Sequence, residues 1–171
     1  MDQKIMSSAQ GAVSNIQFSY LSNGGWKTFS GQTKNAMDGI KIQTSSNSPY
    51  YLQYRTWNQG KSGYYPYVKS NVNDYAGASG RPIQQLQIQA YQRDGTKLTE
   101  RIVVMYRAYV DGEWLPWVSN ADPEWMRSVQ NKYDLDGTLD PNASYAGQSG
   151  AAISGIEIRV YERRTNRGFL R

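Results

Sequence analysis

The sequence has no cysteine and no histidine in its 171 residues, and only 19 basic and 14 acidic side chains. Without cysteine there is no disulfide framework, thiolate nucleophile, iron–sulfur cluster or cysteine zinc site. Without histidine, the commonest general base near neutral pH and the usual transition-metal ligand are gone. What remains is oxygen chemistry, in which carboxylates hold calcium or cleave a glycoside. Long apolar runs are missing as well. No segment approaches the roughly 20 residues of a membrane-spanning helix, and Met1–Ser14 has no apolar run to act as a secretion signal. No membrane partner is therefore expected, and an extracellular or cell-wall location would require export without an N-terminal signal in this chain.

The net charge of +5 is unevenly placed. Arg159, Arg163, Arg164, Arg167 and Arg171 crowd the C-terminus beside a single acid, Glu162, so the body of the chain is nearly neutral. Basic and aromatic residues do not interleave elsewhere, and a solvated basic tail explains the charge without a nucleic-acid partner.

Fourteen tyrosines, five tryptophans and 16 glycines are what the chain does have. Together with isoleucine and valine they favour strands and tight turns over helices. The expectation is an N-terminal segment 1–15, a single β domain over 16–162 and a basic tail 163–171. An internal repeat organises that domain into copies at 16–44, 51–91 and 104–161. Each opens on an alternating strand, with Phe18 and Tyr20, Leu52 and Tyr54, or Val104 and Tyr106 in matching places, and Tyr-Arg recurs in the last two. A glycine-bearing turn follows, then an aromatic pair three apart: Trp26 and Phe29, Tyr64 and Tyr67, Trp114 and Trp117. The copies close on period-two strands carrying Ile40 and Ile42, Leu86 and Ile88, Ile156 and Ile158. Copies two and three share Tyr-Ala-Gly-x-Ser-Gly, at Tyr75–Gly80 and Tyr145–Gly150, whose glycines suit positive φ in a tight loop. A short helix is expected after Asp122-Pro123 inside the largest insertion of copy three. Three such units, none able to bury its apolar face alone, predict an all-β fold with a pseudo-threefold arrangement. A β-prism fits best, with a β-trefoil or a sandwich as alternatives.

The repeat resembles the clostridial hydrophobic repeat with a conserved tryptophan, found in tandem in secreted and surface proteins of Gram-positive bacteria. The resemblance rests on Trp114-Leu-Pro-Trp117-Val, on Tyr-Ala-Gly-Ala-Ser-Gly and Tyr-Ala-Gly-Gln-Ser-Gly, and on the closing strands of copies two and three. Copy one lacks the Ala-Gly loop, and copy two has tyrosine where the name-giving tryptophan is expected. The resemblance implies recognition of a cell-wall polysaccharide or peptidoglycan, as in the targeting part of a bacterial or phage lytic enzyme such as an endolysin.

The segment Asp134-Leu-Asp-Gly-Thr-Leu-Asp140 resembles the nucleophile signature of the haloacid-dehalogenase phosphotransferases. That chemistry needs an apolar strand just before the first aspartate, and here Ser128–Tyr133 is polar. Asp134, Asp136 and Asp140, with Gly137 allowing a sharp turn, have spacing suited to calcium; an ordinary acidic turn uses the same residues. Glu113, Glu124 and Glu157 are candidates for glycoside hydrolysis, but none has an acidic partner at an equivalent place in the repeat, so the chain is not expected to be an enzyme.

Aromatics carry the positive case, because sugar rings stack their apolar C–H faces on Trp or Tyr while polar neighbours bond their hydroxyls. Repeated aromatic pairs also build a layered core. Trp26, Tyr64 and Trp114 are expected as core anchors with Phe29, Tyr67 and Trp117 nearer the surface, an assignment that can be reversed. Outside the repeat plan, Trp57, Tyr65, Tyr75, Trp125 and Tyr145 fall in loops or turns. Asp74-Tyr75 and Ser144-Tyr145 precede the two Ala-Gly turns, and with Asn73 and Asn142 they would frame two shallow pockets. The sequence thus reads as a non-catalytic carbohydrate-binding module. The alternative is a structural or adhesive protein, such as a phage tail or surface component, that binds a protein and forms a homo-oligomer.

Overall fold

The structure of the chain, a computed structural model, describes residues 16–28, 35–129 and 136–162. The N-terminal segment 1–15, Phe29, Asp134 and the basic tail 163–171 lie outside the described residues.

Among the described residues the chain is all-β apart from one short helix, and the strands pair antiparallel in three sheets. Strands β1 (Gln17–Ser22), β2 (Gly25–Thr28) and β3 (Gly39–Gln43) form the first sheet together with β6 (Ala76–Gly77). The second is built from β4 (Tyr50–Asn58), β5 (Val68–Lys69), β7 (Ile83–Gln92) and β11 (Ala146–Gly147). The third joins β8 (Ile102–Val110), β9 (Glu113–Trp114), β10 (Val118–Ser119) and β12 (Gly155–Glu162). Helix α1 spans Pro123–Val129, with the Asp122 carboxylate accepting from the Trp125 N–H at 2.7 Å as the N-cap.

Local sequence explains each strand. In β4 the alternation is strict, with Tyr50, Leu52, Tyr54, Thr56 and Asn58 buried and Tyr51, Gln53, Arg55 and Trp57 half-buried on the other face. Asn23-Gly24 and Asp111-Gly112 both have positive φ at two successive residues, the turn geometry that matches the twist of a two-residue hairpin. The inward faces merge into one apolar core containing Ile40, Ile42, Leu52, Ile88, Val104 and Ile156.

The pairing revises the alignment of the opening strands. Phe18 faces Ile42 as Tyr54 faces Ile88 and Tyr106 faces Ile158, so Phe18, not Tyr20, stands with the two tyrosines. A slip of two residues preserves the alternation of faces, so periodicity alone cannot tell these registers apart. The tyrosine hydroxyls then tie neighbouring sheets together. Tyr54 accepts from the Ile42 N–H at 3.0 Å and Tyr106 from the Ile88 N–H at 3.2 Å.

The Tyr-Ala-Gly loops also join segments that the sequence assigns to different copies. Strand β6 of copy two pairs with β3 of copy one, and β11 of copy three pairs with β7 of copy two. At the start of the closing strands, three fully buried residues bond in a cycle. Ile83 N–H donates to the Met37 carbonyl at 2.8 Å, Ile153 N–H to Ile83 at 2.9 Å, and Met37 N–H to Ile153 at 2.9 Å.

A second, smaller apolar cluster lies on the outer side of the third sheet, where Val103, Met105, Trp117 and Tyr161 meet Met126 of α1. The copy-three insertion therefore covers the face whose counterpart on the second sheet is left open among the described residues.

Candidate functional site

On the second sheet, the outward parity of β4 and β7 places Arg55 directly opposite Gln87. Arg55 Nε donates to Gln87 Oε1 at 2.8 Å, and its guanidinium lies between the rings of Tyr64 and Tyr67, 4.4 and 4.5 Å from their centroids. A planar cation held against two aromatic faces is a favourable packing unit. Trp57 packs edge-on against Tyr64 at 5.5 Å, and the Tyr64 hydroxyl donates to Gln85 Oε1 at 2.7 Å. Gln85 donates on to Ser149 Oγ, and Gln87 to the Ser144 carbonyl, so the second Tyr-Ala-Gly loop is sewn to this face. Tyr145 thereby stands close enough to Tyr64 to interact with its hydroxyl electrostatically. Burial pushes the Tyr64 and Tyr67 phenols above their ordinary value, against the opposing pull of Arg55, so both are neutral donors near neutral pH. Further along the face, Tyr51 stacks on Tyr91 at 5.6 Å. Tyr67 remains 36% exposed.

The third sheet repeats this unit in closed form. Arg107 lies 4.6 Å from the centroids of both Trp114 and Trp117, and its Nε donates to Glu157 Oε1 at 2.7 Å, completing an ion pair. Arg107 and Glu157 occupy the same register positions as Arg55 and Gln87. Here the segment 136–140 lies across the unit. The Asp136 carbonyl accepts from Arg107 Nη1 at 3.1 Å and from Trp117 Nε1 at 2.5 Å.

The first sheet carries a reduced version, in which Lys41 of the closing strand supplies the cation, 5.0 Å over Trp26. Tyr75 packs edge-on against Trp26 at 5.2 Å and lies over Gly39, where a Cβ would approach its ring to 2.8 Å.

The residues expected to bind are thus distributed, not gathered. Trp57 and Tyr145 join the face of the second sheet. Tyr65 lies at its margin, with Lys61 4.8 Å over its ring. Tyr75 belongs to the first sheet, while exposed Asn73 and Asp74 lead into it, Asp74 capping the Tyr75 N–H at 2.8 Å. Trp125 packs on the cluster beneath α1, and Asn142 accepts from Arg127 at 2.6 Å. Trp117 is a correction: it is fully buried and cannot offer a face to a ligand, whereas Trp26, expected in the core, is 41% exposed. Trp117 is covered because the copy-three insertion closes over it. The Asp140 side chain caps the Asn142 N–H at 3.1 Å, and Asp136 contributes its backbone carbonyl to the arginine unit. Among the described residues no three acidic side chains converge as a metal site would require.

Sequence reasoning passed over Arg55, Gln87 and Arg107. The signal was present in the repeated Tyr-Arg and the outward parity of its arginine. Two surface grooves among the described residues, of about 230 and 460 Å³, open near Thr99 and Ile102 and are lined by none of the expected residues. Comparison with family models, curated proteins and solved structures finds no match for this chain.

Proposed function

We propose that the chain is a non-catalytic carbohydrate-binding module for a Gram-positive cell-wall glycan, and that it binds through the outer face of the second sheet. The observation that carries this reading is the group of Trp57, Tyr64 and Tyr67 around Arg55 and Gln87, with Tyr145 near Tyr64, on a half-exposed surface. Such a group offers ring faces to sugar C–H surfaces and planar donors to their oxygens. Glu157, the candidate acid on the equivalent face of the third sheet, is engaged by Arg107, which supports a binding rather than a hydrolytic role. The cyclic bonding of Met37, Ile83 and Ile153 supports a β-prism-like assembly of the three repeats, with each sheet as one side. The exposed Trp26–Tyr75 pair would then be a second, weaker contact point, and two weak sites on one repetitive polymer raise avidity without new contacts.

A fluorescent fusion of the chain should label intact Gram-positive cells and purified sacculi. Replacing Trp57 and Tyr67 together with alanine should remove most of that labelling. If no Gram-positive wall is bound, clostridial and enterococcal walls included, the reading is wrong.

A further inference from the structure

The repeat holds the same arginine unit twice, once covered and once open. On the third sheet the cover is part of the chain itself. Trp117 N–H donates to the Thr138 carbonyl at 2.8 Å and Asp140 N–H to the Trp117 carbonyl at 2.8 Å, so the segment lies along the sheet edge. Its Asp136 peptide carbonyl is thereby aimed at Arg107. Gly137 makes the approach feasible: its φ is +87°, and a Cβ there would stand 3.0 Å from Arg107 Nη1. Among the described residues the second sheet has no such cover. After β5 the chain leaves through Asn71 and Asp74 towards the first sheet, where β6 pairs with β3. Tyr67 is 36% exposed where Trp117 is fully buried.

We infer that the open unit on the second sheet takes from a ligand the amide carbonyl that Asp136 supplies on the third, and that the ligand is a glycan bearing acetamido groups. This rests on the glycan reading above and specifies which sugars it applies to. The occupied copy identifies the acceptor as a secondary amide. Two differences on the open copy identify its carrier as a sugar and not a peptide. Tyr67 lacks the indole N–H that gives Asp136 its second donor, which leaves Arg55 as the charged donor, with its Nε on Gln87 and a side-chain bond to Tyr67. In place of that donor there is a phenol 36% exposed, with Tyr64 sharing its Arg55 and Trp57 and Tyr145 next to Tyr64, which suits a ring stacked beside its own amide.

The test is titration of the full chain, by calorimetry and by NMR, with chitohexaose and with cellohexaose, which differ in carrying an acetamido or a hydroxyl group on each ring. An acetylated, amidated peptide spanning Asp136–Asp140 forms a third arm. Chitohexaose should bind about tenfold or more tighter than cellohexaose, the effect of one hydrogen bond to a charged donor. Arg55→Gln should abolish the difference while leaving weak binding of both sugars. Arg55→Lys, which keeps the charge but loses the planar fork, should reduce it and covers the case in which the glutamine variant does not fold. Equal binding of the two hexaoses, or a preference that survives in both variants, overturns the acetamido inference and leaves the glycan reading standing. Sacculus binding without either hexaose has the same effect. Binding of the peptide with no binding of sugars or sacculi overturns both.

Discussion

Arg55 and Arg107 show how far one residue's role is set by what covers it. Both sit on the outward parity of an opening strand between two rings, yet Arg107 is buried with Glu157 and Asp136 as partners, whereas Arg55 is half-exposed. Arg107 is buried and Glu157 is 32% exposed, so Arg107→Gln leaves the Asp136 carbonyl and the Glu157 carboxylate without their charged donor and should lower stability by about 1–3 kcal/mol. Arg55→Gln should cost less than about 1 kcal/mol, as partly exposed pairs do. Urea unfolding midpoints measure both, and the reverse ranking would show that the two units are not equivalent. Tyrosines make the pH response. Burial pushes Tyr54 up to about 12 and raises Tyr106 further, and both hydroxyls bond across sheets. The unfolded chain loses these protons near pH 10 and the folded one does not. Their contribution is therefore complete below pH 10 and fades as pH rises towards 12 and beyond. Unfolding followed by phenolate absorbance should show a midpoint that falls over this range, and Tyr54→Phe should flatten the fall while lowering stability near pH 7. The alternation of these strands was legible in the sequence. The clamping of the arginines was not, because a charged residue on an outward parity reads as solvated until the rings that enclose it are placed.

At the level of elements, the Tyr-Ala-Gly loops illustrate the same division. Their glycines were legible as positive-φ positions, and Gly77, Gly80, Gly147 and Gly150 all have positive φ. Their partner was not legible, since nothing in the motif says that it pairs with the closing strand of the preceding copy. That partner separates the two glycines of each loop. A Cβ on Gly77 or Gly147 would fall 2.2 Å from a backbone oxygen of the neighbouring strand, Asp38 or Gln84, whereas nothing lies within 4 Å at Gly80 or Gly150. Gly80→Ala and Gly150→Ala should therefore cost about 1–2 kcal/mol, the strain of left-handed backbone alone. Gly77→Ala and Gly147→Ala add a collision with main chain that cannot move aside and should cost clearly more, with disrupted pairing of β3 or β7 visible in amide exchange. Equal losses at all four sites would mean that the loops do not dock on the neighbouring strand.

For the whole molecule, the cycle through Met37, Ile83 and Ile153 decides whether the three sheets unfold as one body. Each residue is fully buried, each both donates and accepts in the cycle, and each begins the closing segment of a different copy. The sequence reads as three copies but does not say how they would meet, because the contact is between backbones and leaves no side-chain signature. In a cycle of this kind a defect at one member weakens the seat of the other two. Ile83→Ala should cost about 2–5 kcal/mol, the usual range for truncating a buried isoleucine. That loss should lower the thermal midpoint equally for probes on every sheet. The indole N–H signals of Trp26, Trp57 and Trp117 report on the first, second and third sheets, since those residues sit on or beside β2, β4 and β10. Coincident loss of all three signals at a common, lowered temperature is the expected result. Earlier loss of the Trp57 signal, with Trp26 and Trp117 unchanged, would show that the second sheet unfolds alone and that the cycle does not couple the copies. A coupled core also suits the proposed role, because a face that unfolds only with the whole molecule keeps Arg55 and its rings in place while the ligand is absent.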